Sequence, residues 1–159
     1  MTKYEQLADV AIAYTHKHFQ YYESCQRLAF SLAAHYADFL EYPRDQVVFV
    51  PLDRNLDRME KTEPISMDLS LAFGDGGFWY FCFRIKYEKK GDSGYMFEFV
   101  KLGLKLIDHI ATVREERDFE IDTTAPGNFD EFFGYLFADS LKRFASAPFL
   151  PSKRIGFVK

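Results

Sequence analysis

A chain of 159 residues with 48% hydrophobic and 18% aromatic content carries enough apolar surface to fold as one domain, which excludes intrinsic disorder. Its formal net charge of −4 and pI near 5.6 supply no bulk attraction to phosphate backbones or anionic lipid, so nucleic acid and membrane are not expected partners. Cys25 and Cys82 stand far apart in no zinc or redox spacing, no run approaches the ~18 apolar residues of a membrane span, and the opening residues lack the apolar core of a signal peptide, which together lead to an expectation of a reduced, cytoplasmic protein.

Between Thr2 and Leu40 there is no Gly or Pro, and Tyr4, Ala8, Ala11, Thr15, His18, Tyr22, Cys25, Ala29, Leu32, Tyr36 and Leu40 recur at the helical period. Thr2 and Glu5 have the spacing of a reciprocal capping box, and Pro43 closes the far end. A helix over 2–40 would be about 58 Å long at ~1.5 Å per residue, against a diameter near ~40 Å for a compact chain of this size. It must therefore kink or protrude, and the aromatic cluster "YTHKHFQYY" is the expected weak point. His16 and His18 inside it point about 200° apart on a helix, so they cannot share a metal ion.

After the helix, "QVVFVPL" reads as a first strand and Asp53–Pro64 as a polar loop. The second strand, "ISMDLSLAF", places Ile65, Met67, Leu69, Leu71 and Phe73 on one face, and the third, "FWYFCFRIKYE", does the same with Trp79, Phe81, Phe83, Ile85 and Tyr87. A three-residue hairpin loop over Gly74–Gly76, with Gly76 left-handed, opposes Phe73 to Gly77 and keeps both apolar stripes on one face. GDGG is thus turn chemistry. A dinucleotide fingerprint would need glycine where Trp79 stands.

The fourth strand, "YMFEFVKLGLKLI", paired with the third so that Glu88 meets Tyr95, aligns Met96, Val100, Leu102 and Leu104 with the core and sets Glu98 opposite Ile85. A carboxylate there is costly unless paired. The bland alternative is a bulge near Phe99 that turns Glu98 to solvent; the functional one is a polar anchor in an apolar pocket under the helices, with Tyr36 and Trp79 as further candidates. The opposite face of the hairpin collects Phe78, Tyr80, Phe97 and Phe99, interleaved with Arg84, Lys86, Lys101 and Lys105. Such a face suits internal packing or a protein interface better than a stacking platform for single strands, given the acidic net charge.

Within the charged stretch that follows, "DFEID" is a short strand, and residues 128–146 form a second helix capped by Asn128 and Glu131 with Lys142 and Arg143 at its far end. Phe129, Phe132, Phe133, Leu136, Phe137, Leu141 and Phe144 make its apolar face. The expected architecture is an α+β domain over 1–159: a long helix, a mainly antiparallel meander of four to five strands between about residues 46 and 122, a C-terminal helix and a short tail.

His35 in "LAAHYADF" and Ser93 in "GDSG" resemble fragments of trypsin-like serine proteases, with Asp53 or Asp57 between them in order. His35 lies on the long helix, however, and Tyr95 occupies the position of that motif's closing glycine. No catalytic residue, cofactor or metal is assigned. The functional expectation is a non-enzymatic interaction protein that self-associates through the long helix, with Tyr14 at its surface, or through the aromatic face. The alternative is a small-molecule or enzymatic domain with an aromatic pocket.

Overall fold

A computed structural model describes residues 1–59, 71–125, 127–146 and 155–157. Helix α1 spans Lys3–Phe39 and helix α2 spans Asp130–Phe144; the strands are β1 (Val48–Val50), β2 (Ala72–Phe73), β3 (Trp79–Glu88), β4 (Tyr95–Ile107), β5 (Ile110–Arg114), β6 (Asp118–Asp122) and β7 (Ile155–Phe157). All pair antiparallel in one sheet of order β1-β3-β4-β5-β6, with β2 also on β3 and β7 also on β4. The α+β expectation holds, with seven strands among the described residues against the four to five read from sequence.

Helix α1 starts where the capping box requires: Thr2 N–H donates to Glu5 Oε2 at 2.6 Å and Glu5 N–H to Thr2 Oγ1 at 3.1 Å. It runs without a break to Phe39, so "YTHKHFQYY" is not a kink and the helix protrudes. Over residues 1–20 only Ala8 is less than exposed, whereas Cys25, Ala29, Leu32, Ala33, Tyr36 and Ala37 are buried. Helix α2 begins at Asp130 with no side-chain cap, which corrects the assignment to Asn128; the Asn128 amide instead donates to the Asp122 carbonyl at 2.8 Å and ties the helix entry to β6.

The β3–β4 pairing runs from Glu88–Tyr95 to Trp79–Leu104, the register expected from alternation, and Glu98 opposes Ile85. The β2–β3 hairpin pairs Phe73 with Trp79, so its loop is two residues longer than expected while the parity of the faces is unchanged. Gly76 is left-handed as expected, at φ 72°, and Gly77 follows at φ 80°. Ile65, Met67 and Leu69 lie outside the described residues.

One sheet face packs under α1 and α2. Phe81, Phe83, Ile85, Val100, Leu102, Leu104 and Val113 meet Leu32, Tyr36, Phe132 and Leu136 there, all fully or almost fully buried.

Candidate functional site

Alternation along β4 aims Glu98 at the helical layer, between Met96 and Val100. It is fully buried, and the unbroken register leaves no bulge near Phe99 to turn it outward. Tyr87, two residues beyond Ile85 on the same face, donates its hydroxyl to Glu98 Oε1 at 3.0 Å. Ser140 donates from α2 to Oε2 at 2.6 Å. Hydroxyl donors compensate part of the desolvation of a buried carboxylate, and the bond from Ser140 fixes α2 against β4. Ser140 was legible in principle, as a polar residue four positions after Leu136 on an otherwise apolar helix face.

The other two pocket candidates are buried in the same core. Tyr36 packs its ring on Phe39, Phe83 and Phe133. Trp79 sits at the far end of β3, six residues from the partner of Glu98, or about 20 Å at ~3.3 Å per residue. Its indole is flanked by Tyr22 and Phe73, each at 4.9 Å, and by His18 at 5.9 Å, and its Nε1 has no hydrogen-bond partner among the described residues.

On the opposite face the expected interface residues are largely engaged within the chain. Phe78 is 5% exposed, with the Arg114 guanidinium 3.8 Å above its ring, so it is not a contact surface. Tyr80 is half-buried: one ring edge lies over Gly103 and the other over Gly74, so close that a Cβ at Gly103 would fall 2.8 Å from its Cε1. Arg84 covers the half-buried Phe97 at 4.3 Å, and Arg58 covers the half-buried Phe99 at 3.6 Å. Arg58 reaches there from a loop that Asp53 organises by accepting from the Asn55 and Asp57 amides, and Lys101 fastens the same loop through the Leu56 carbonyl at 3.0 Å. A base-stacking platform requires open ring faces, and here a cation already occupies one face of Phe78, Phe97 and Phe99. Cys82, beneath this layer, has its thiol pushed up to about 12 by burial.

Tyr14 behaves differently. Two tyrosines staple α1 where it leaves the body: Tyr21 accepts from the Leu106 amide at 3.1 Å, and Tyr22 accepts from the Leu71 amide at 3.2 Å. Beyond them His18 stacks on Tyr14 with ring centres 6.2 Å apart, extending the Trp79 cluster onto the free helix. From there Tyr14, Leu7 and Tyr4 are 70%, 71% and 80% exposed.

A groove of about 630 Å³ runs between α1 and the start of α2, floored by Leu28, Phe39, Phe129 and Phe133. His35 lies on its rim and pairs through Nδ1 with Ser31 at 3.3 Å within the same helix, while Ser93 is exposed in the β3–β4 turn. None of the polar side chains lining that groove is buried. Among the described residues no helix is long and apolar enough to cross a membrane. No family model, curated protein sequence or solved structure matches the chain.

Proposed function

We propose that the chain is a small non-enzymatic interaction module that self-associates through the N-terminal half of α1. The observation that carries this reading is the continuous exposed stripe of Tyr4, Leu7 and Tyr14 on a helix whose buried residues all lie in its other half, from Cys25 to Ala37. In proteins, tertiary packing of an apolar face supplies most helical stability. Large exposed apolar patches of this kind belong to interfaces. The aromatic sheet face contributes less, because its rings are covered by Arg58, Arg84 and Arg114. Two buried free thiols suit a reduced, cytoplasmic setting.

A small-molecule site is a second reading, favoured by the groove between the helices, whose exposed polar rim lacks the preorganised groups that fix a ligand. Sedimentation velocity into the high micromolar range separates the two. Self-association predicts a concentration-dependent dimer that Leu7→Glu and Tyr14→Glu abolish without loss of thermal stability. A wild-type chain that stays monomeric throughout contradicts it.

A further inference from the structure

The geometry points to an antiparallel α1–α1 pairing between two copies of this chain, each free half-helix lying along the other. This arrangement rests on the self-association proposed above and specifies how it is achieved. Tyr4, Leu7, Ala11, Tyr14 and His18 follow one another at alternating steps of three and four, the spacing of a helix–helix seam, and the same series continues into Tyr21 and Cys25. From Tyr21 onward that seam is occupied by the chain's own sheet: Tyr21 is half-buried and bonded to Leu106, and Cys25 is fully buried. Sheet and partner helix therefore take successive stretches of a single face.

That succession decides the direction. In a parallel pair the two sheets would both be required on the facing surfaces from Tyr21 onward, in the space between the helices. In an antiparallel pair each body lies beyond the free end of the other helix, and the seam is filled along its whole length. Placing the two-fold axis between Ile12 and Ala13 sets the small Ala11 against the partner's large Tyr14, and Leu7 against the partner's His18. It also brings Tyr4 to the partner's Tyr21, at the sheet edge where Phe73 is 59% exposed. Side-chain charge agrees in sign: Lys3, Glu5 and Asp9, one cation against two carboxylates, leave the first half of the free segment negative and Lys17 leaves the second half positive, so antiparallel alignment sets unlike halves together. Tyr4 and Tyr14, at ~150–250 Å² each, together with Leu7 and Val10, can remove about 1,000 Å² from water over two copies, the lower bound for a specific interface.

The test is a spin-label distance at Arg27→Cys, an exposed position on α1, with Cys25 and Cys82 buried and unlabelled. The antiparallel dimer predicts a separation of about 45 Å, from a ~1.5 Å rise per residue and helix axes ~10 Å apart. A dimer with labels within about 30 Å, as a parallel pair at that ~10 Å axial spacing would give, overturns the antiparallel arrangement while leaving self-association standing. Open-ended growth beyond a dimer that Leu141→Asp suppresses overturns it too, because the free helix would then dock on the Phe39–Phe137–Leu141 surface of the next copy. A monomer at every concentration removes both readings.

Discussion

Gly103→Ala adds one methyl group at a position where it would lie 2.8, 3.0 and 3.2 Å from Cε1, Cζ and Cδ1 of Tyr80. Carbon contacts are comfortable at about 3.5–4.0 Å, so the ring has to move by several tenths of an ångström. Its retreat is limited, since the other ring edge is pressed on Gly74, where a Cβ would sit 2.7 Å from Cδ2. Overpacking of this kind costs about 1–3 kcal/mol, and replacing a strand glycine returns about 0.5–1 kcal/mol of backbone entropy. In a Tyr80→Ala background only the entropic gain remains, and Gly103→Ala becomes mildly stabilising. A double-mutant cycle by urea denaturation therefore predicts a coupling of about 1–3 kcal/mol. Additivity within about 0.5 kcal/mol would refute the wedge and return Tyr80 to the pool of surface residues.

Gly76→Val forces a branched side chain into a left-handed turn position and should cost about 1–2 kcal/mol or more in the same titration; an unchanged midpoint would mean that the loop relaxes to a different turn. Ser140→Ala removes the 2.6 Å bond to a buried carboxylate and should lower stability by about 1.5–3 kcal/mol, so a thermal melt indistinguishable from wild type would show that α2 is not fastened through Glu98. Burial raises the thiol pKa of Cys25 and pushes that of Cys82 up to about 12. Neither should react with a disulfide reagent at neutral pH until urea unfolds the chain, and rapid labelling of the native protein would contradict the packing beneath β3.

The pairing of β3 with β4 was readable because both strands are long, alternate cleanly and are joined by a short turn, so one register alone buries both apolar sets. Parity at the β2–β3 hairpin was readable for the same reason even though the loop is longer. Strand β5 was not: its alternation of Ile110, Ala111, Thr112 and Val113 is short, and its lead-in turn uses Asp108 at φ 53° rather than glycine. Whether Glu98 would be buried depended on Ser140, whose hydroxyl arrives from a helix 42 residues away, and no local rule weighs that contact. The covering of Phe99 by Arg58 was equally hidden, because a loop residue supplies it. The length of α1 was evident from its periodicity, but its straight exit from the body follows from the staples at Tyr21 and Tyr22, which join it to residues 106 and 71.

Amide hydrogen exchange over Ala8–His18, followed as protein concentration is raised, tests the central claim most directly. An isolated helix of this length opens readily, so at low concentration these amides should exchange far faster than those of the buried half of α1. Association through the stripe predicts that their protection rises with concentration in step with dimer formation, and that Tyr14→Glu removes the rise. Protection of Ala8–His18 that does not change with concentration, or a rise confined to β3 and β4, would contradict it.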